Sequence, residues 1–291
     1  GERVAEKVDA ITGGQLTVEY YPNSEMGGDM DIQQQMLDGT LDYVVLQTAP
    51  TVSFVPAVAV FDLPMVFAQY DGDTIDQVLN GDDSEFLKAI APKYEEKNMK
   101  ILGYLQNATY RLTTSNVKLD TLDAFKGLQI RTMENQNHMA FWSALGAAPT
   151  PLAWPEVYIS LQNGTIDAQE NAADTCMTSN FQEVQKYLYE TNHIVATLEI
   201  IGNKDAMSKL TEEQQQIVRD AAKATAEQAW EDYIASVDTD RETIEAAGVT
   251  VTQMTEAERA KMIEKIQPTL NELLAANDWA PALIEKIEAV Q

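Results

Sequence analysis

Apolar residues along this chain switch between two periods. In RVAEKVDAITGG, Val4, Val8 and Ile11 recur at helical spacing, and the Gly13-Gly14 pair stops the run. Residues 16–20 (LTVEY) alternate and predict a strand. PNSEMGGDM then reads as a loop, and residues 31–37 as a short helix. Gly39 closes that helix, because glycine enters the left-handed region without a Cβ clash. Residues 41–46 (LDYVVL) form the next strand. Strand, helix and strand in this order predict a βαβ unit with a parallel pair. A start inside a helix predicts that an N-terminal strand and a leader precede these residues.

The second half repeats the phrase. Residues 36–42 read MLDGTLD and residues 161–167 read LQNGTID, each a helix end handed through Gly-Thr to a strand. Around the second copy, 128–131 (LQIR) predict a strand and 138–145 a helix ended by Gly146. Residues 149–155 read as a rigid stretch holding Trp154, 156–162 as a helix, and 165–168 as a strand leading into a Gln-Glu-Asn turn. Two copies predict two α/β lobes. Further on, Thr211-Glu212-Glu213-Gln214 is a capping box. A helical pattern runs from it to residue 247, roughly 54 Å at 1.5 Å per residue. That exceeds one small domain, so a kinked or bridging helix is expected to touch both lobes. A second capping box opens at Thr255, and Pro268 is expected to end or kink the helix that follows. The expected division is 1–107 with 197–235 for the first lobe and 108–196 with 236–291 for the second.

Composition narrows the function. The net charge of −26 over 291 residues repels nucleic acid and anionic lipid and favours a monomer. The single cysteine, Cys176, rules out an internal disulfide and a Cys-rich zinc site, and reads as a small buried hydrophobe. No apolar run is long enough to span a membrane.

Catalytic chemistry is sparse. The two histidines, His138 and His193, read as structural hydrogen-bonding residues. No nucleophile elbow, zinc-protease helix or phosphate-binding glycine loop is present. Of six arginines, Arg3, Arg219, Arg241 and Arg259 lie on helices among acids, while Arg111 and Arg131 do not. Arg131 ends the strand LQIR, where open α/β sheets bind ligands. Its fork of donors matches a carboxylate. An internal pair with an acid explains such an arginine equally well. Asn171 can donate to one ligand oxygen and accept from a hydroxyl. Trp154 reads as a pocket wall or as core.

GLQIRTMEN, ALGAAPTPLAWPEVYISLQNGTIDAQEN and VQKYLYETNHI resemble the solute-binding proteins of tripartite ATP-independent periplasmic (TRAP) transporters, dicarboxylate-binding type. TGGQLTVEYYPNSEMGGD and FVPAVAVFDLPMVF resemble the same family's first lobe. The resemblance implies an α/β, two-lobed periplasmic binding protein fold with a ligand cleft between the lobes and a long bridging helix. It implies a non-enzymatic receptor without metal or cofactor, working in the periplasm or otherwise outside the cytoplasm, free or lipid-anchored. The receptor would hand a small organic acid to the membrane permease. It places Arg131 on the carboxylate-binding arginine, with Arg111 and Asn171 assisting and Trp154 as a wall. Gln47 and Asp29 fall on first-lobe positions that meet the ligand's distal end, and Glu134 completes the candidate set. Polar Gln47, Asp29 and Asn23 favour a sugar acid, such as a uronate, over a C4-dicarboxylate. A ligand-sensing module of the same fold and a carboxylate-pair hydrolase are the competing readings.

Overall fold

The computed structural model describes residues 2–14, 16–67, 70–81, 83–277 and 280–288, with the Arg3 side chain outside the description. In chain order the elements begin α1 (Glu2–Thr12), α2 (Asp29–Leu37), β1 (Tyr43–Gln47), α3 (Thr48–Thr51), α4 (Gly72–Asn80), α5 (Glu85–Glu95) and β2 (Met99–Leu105). The middle of the chain gives β3 (Leu112–Ser115), β4 (Gln129–Thr132), α6 (Gln136–Leu145), β5 (Ala148–Pro151), α7 (Val157–Gln162), β6 (Ala168–Asn171), α8 (Ala173–Thr178) and β7 (Tyr187–Glu190). The last part gives β8 (Leu198–Asn203), α9 (Lys204–Ser208), α10 (Glu212–Ala246), β9 (Thr250–Gln253), α11 (Glu256–Ala276) and α12 (Ala280–Glu288).

Two sheets organise two lobes. The first is three-stranded, β1-β8-β2, and wholly antiparallel. The second is six-stranded, β5-β4-β6-β3-β7-β9, with β4 parallel to both β5 and β6. Both sheets are buried on both faces, the three-layer solution open to an α/β lobe. In the first lobe, Val44, Tyr104 and Ile201 meet Phe61, Phe86 and Ile90 on one side. On the other, Leu102 and Ile200 meet Val8 of α1 and Val218 and Ala222 of α10. In the second lobe, Ile130 and Ala168 meet Phe141 of α6 and Met262 of α11. The opposite side packs Leu188 with Leu161, Cys176 and Ile244. Cys176 is thus a core residue, and burial pushes its thiol up to about 12.

The repeated phrase folds twice into the same corner. Thr40 N–H bonds Gln35 C=O at 2.9 Å, and Thr165 N–H bonds Ser160 C=O at 2.9 Å. Gly39 and Gly164 stand at φ 77° and 69°. The strand handed over differs, however. β6 runs parallel to β4 as expected, but β1 pairs only with antiparallel β8 among the described residues. Residues 16–20 join no ladder, so the expected strand and the parallel pair of the first lobe are not formed there. The alternation has another cause: Leu16 and Val18 pack against the core beneath α1 and α10.

Four further expectations are corrected. Residues 148–151 are a strand, β5, and the Gln-Glu-Asn run is not a turn but most of β6. The helix around Pro268 continues to Ala276. The last helix, α12, buries Ala280, Leu283 and Ile287 in the first lobe's core, although the expected division gave it to the second lobe.

Three passages join the lobes before the chain returns to the first core through α11 and α12. Two are neighbouring extended segments: Tyr110 bridges Val195, Arg111 N–H bonds Ile194 C=O at 2.9 Å, and Ala196 N–H bonds Thr109 C=O at 3.2 Å. The third is α10, opened by the Thr211–Gln214 capping box. Its buried residues serve the first core from Val218 to Ala226 and the second at Ile244.

The middle strand of the first sheet carries a buried acid. Glu199 accepts from the hydroxyls of Thr51 and Tyr94, and Tyr94 lies 3.1 Å from the Tyr104 hydroxyl. Desolvation, with a smaller push from Asp29 and Asp62, raises its pKa from 4.5 to about 8. The native state therefore holds a proton that the unfolded chain releases above 4.5. Stability from this group is complete below pH 4.5 and is lost as pH rises towards 8. Melting curves between pH 5 and 9 should show Glu199→Gln less pH-dependent than wild type, and more stable above pH 8. Parallel curves for the two proteins would refute this.

Candidate ligand-binding site

β4 delivers Arg131 to the cleft, and the chain after β5 receives it. Its Nε and Nη2 both donate to Leu152 C=O, at 2.9 and 2.7 Å. Its Cζ lies 5.8 Å from the centroid of the half-buried Trp154 ring. The residue is 2% exposed, and Nη1 has no hydrogen-bond partner. Among the described residues it forms no ion pair. Desolvation lowers its pKa to about 10, offset by the charges of Glu170, Glu134 and Asp29, so it stays cationic at neutral pH. A buried guanidinium with a free N–H is an unsatisfied donor, costly unless something arrives to accept from it.

Arg111, 1% exposed, has a different position. Its Nε is ion-paired with Glu170, its Nη2 donates to Glu170 C=O at 2.9 Å, and its Nη1 donates to Gln47 Oε1 at 3.0 Å. The internal arginine–acid pair that the sequence allowed for either residue is therefore made by Arg111. Three of its five N–H groups are used, one of them to fix Gln47 at the end of β1.

Glu170 was missed as a structural charge. It lies fully buried on β6, and the desolvation that would raise its pKa is overcome by Arg111, His138 and His193, which hold it well below the usual range. His138 Nδ1 and His193 Nε2 each stand 3.4 Å from its oxygens. His138 Nε2 lies 2.9 Å from Asp62 Oδ1. Burial opposes charge on His138, but Asp62 and Glu170 prevail and raise it to about 9. Burial lowers His193, whose ring stacks on Phe141 at 5.0 Å. Both histidines are fully buried, and each has a polar side-chain neighbour, Asp62 for His138 and Thr191 for His193. The signal available in sequence was a glutamate inside an otherwise buried strand, which needs a cation.

Other candidates converge from both lobes. Asn171 Oδ1 accepts from Ala172 N–H at 3.2 Å, and its amide nitrogen meets no acceptor among the described residues. Asp29 opens α2, and desolvation followed by Glu134 raises its pKa to about 6 against the pull of Arg131 and Arg111. Glu134 is half-buried in the loop after β4. The lobes touch here: a Cβ on Gly28 would lie 3.5 Å from Ala153 Cβ. A cavity of about 220 Å³ adjoins Trp154, lined by Asn23 and Ser24 from the first lobe and by Tyr158 and Phe181 from the second. Among the described residues no group of three or more histidines, cysteines or acids could hold a metal ion, and no helix is long and apolar enough to cross a membrane.

Known proteins share this fold. The profile of the bacterial extracellular solute-binding proteins, family 7, matches residues 2–277. A solute-binding protein of Verminephrobacter eiseniae is 31% identical over 76% of this chain, which spans 65% of that relative's length. The ectoine-binding periplasmic protein of Halomonas elongata is 32% identical over 86% of this chain and 74% of its own. Among solved structures, a TRAP periplasmic solute-binding protein of Chromohalobacter salexigens with bound D-glucuronate superposes with a TM-score of 0.91. It is 26% identical, over 100% of this chain and 94% of its own. The chain belongs to the bacterial extracellular solute-binding proteins of family 7, the solute receptors of TRAP transporters.

Proposed function

We propose that this protein captures a small organic acid in the cleft between its lobes and presents it, unchanged, to the permease of a TRAP transporter outside the cytoplasm. The observation that carries the reading is the unpartnered Nη1 of buried Arg131. A ligand carboxylate would satisfy it and share the fork, with Asn171 donating from β6 and Trp154 closing one side. Arg111 orients Gln47 and assists with its remaining N–H groups. A sugar acid is favoured over a C4-dicarboxylate, since the first lobe offers Asp29, Gln47 and Asn23 to the distal end. The D-glucuronate bound by the Chromohalobacter salexigens protein supports that class.

The test is a thermal-shift screen against organic acids. A ligand at 100 times its Kd adds about 2.7 kcal/mol to stability. A sugar acid should raise the melting temperature and be recovered intact by mass spectrometry after long incubation. Stabilisation by neutral sugars but by no acid would sink the proposal, and turnover of the acid would favour a hydrolase.

A further inference from the structure

On the reading that the cleft takes an organic acid between Arg131 and Asn171, we infer that Trp230 and Tyr233 of α10 form a strut that positions Asn171 from behind. The two aromatic rings then set the affinity of the cleft without touching its ligand.

The strut begins in the first lobe. Gly72 and Asp73 open α4, and the Trp230 indole lies across that turn, its Nε1 donating to Asp73 Oδ1 at 3.0 Å. A Cβ on Gly72 would fall inside the indole, so only glycine lets the ring seat there. The same Cβ would stand 3.1 Å from Thr109 Oγ1, which sets the contact beside the first of the two connecting segments. Three residues further along α10, the Tyr233 ring tilts against the indole, with centroids 5.3 Å apart. Tyr233 in turn packs on a buried cluster of Ala108, Ala172 and Ala196. Ala108 and Ala196 belong to the two connecting segments, and Ala172 is the residue after Asn171.

That last contact reaches the site. Asn171 Oδ1 accepts from the N–H of Ala172, which is also the N-cap of α8. Asn107, at the start of the first connecting segment, donates to Asp174 Oδ1 and Thr175 Oγ1 in the first turn of α8, at 2.8 and 2.9 Å. The peptide that carries Asn171 is thus held from behind by α10 and by both connecting segments. Three alanines leave room for one aromatic ring. A small side chain at position 233 would leave that room unfilled and free α8 to shift against α10. Charge gives the shift its direction. Both lobes are net acidic within the total of −26, so they repel and a loosened joint opens the cleft. An acid that needs both lobes then binds only the compact fraction, and its apparent affinity falls with that fraction.

Calorimetric titration with D-glucuronate, beside solution scattering of the ligand-free protein, tests the strut. Tyr233→Ala should weaken binding on the order of tenfold and enlarge the ligand-free radius of gyration. Tyr233→Phe keeps the ring and should match wild type in both. Gly72→Ala should act like Trp230→Ala, and the two together should be no worse than Trp230→Ala alone, because the added methyl acts only by unseating the indole. Asp73→Ala removes the exposed end of the strut with least risk to the fold, and should shift affinity and radius in the same direction by less. A lower melting temperature with affinity and radius unchanged would overturn the inference and leave the rings a stabilising role only. If D-glucuronate does not bind the wild type, scattering decides: larger radii for Tyr233→Ala and Trp230→Ala, with Tyr233→Phe unchanged, support the strut, and equal radii overturn it. Failure of the proposed function looks different, because Arg131→Ala would then bind D-glucuronate as tightly as wild type.

Discussion

Arg131→Ala is expected to weaken organic-acid binding by roughly 30-fold to a few thousand-fold, while leaving the ligand-free protein folded. Truncating one partner of a buried charge pair costs about 2–5 kcal/mol, at about 1.4 kcal/mol per tenfold. The fold should tolerate the loss because Arg131 makes no ion pair among the described residues. Its protein partners are one carbonyl, Leu152, and the face of Trp154. Arg131→Lys keeps the charge but loses the planar fork, and should fall between wild type and alanine. Calorimetric titration beside ligand-free melting curves checks both halves. Near-wild-type affinity for Arg131→Ala, or a large fall in its melting temperature without ligand, would show that the arginine serves the fold.

Arg111→Ala is expected to do the reverse, and chiefly to lower the melting temperature of the ligand-free protein. It strips Glu170 of its ion-pair partner inside a strand whose four residues are all buried. Breaking a buried pair from one side costs about 3–5 kcal/mol. His138 remains charged 3.4 Å from Glu170 and holds the effect near the lower figure. In a chain of this size the melting temperature should fall by about 5 °C. Adding Glu170→Gln to Arg111→Ala should recover part of the loss, because the stranded charge is then gone. Unchanged melting for Arg111→Ala would mean that the pair contributes nothing, and no recovery in the double variant would mean that the loss lies elsewhere.

The second lobe was the more legible one in sequence. Helix α6, with the left-handed Gly146 at its end, and the Gly164 corner stand where periodicity and glycine placed them. β5 was hidden by Pro149 and Pro151, but it is an edge strand, where a missing N–H costs no ladder bond. The first lobe hid its centre: β8 (Leu198–Asn203) lies between β1 and β2 in the sheet yet comes long after β2 ends at Leu105 and β1 at Gln47. Local pattern reports which face is buried, not what buries it. That is why residues 16–20 read as a paired strand and why the lobe of α12 was not evident. Arg131 could be singled out because arginines outside the acidic helices are scarce. Its difference from Arg111 rests on Glu170, and only the sheet register, which sets Glu170 opposite Thr113, brings that acid to Arg111.

Helix α10 also has a bearing on how the molecule comes apart. Lobes that open on a hinge are often treated as separable bodies. Here Val218, Ala221, Ala222 and Ala226 fill one core and Ile244 fills the other along an uninterrupted run of backbone hydrogen bonds. Helix formation is cooperative, so melting at one end exposes turns that the other end relies on. α12 adds a return tie, since the chain re-enters the first core after leaving the second. Neither lobe can then lose its packing as a private event. The two should denature in a single transition, with calorimetric and van't Hoff enthalpies in agreement.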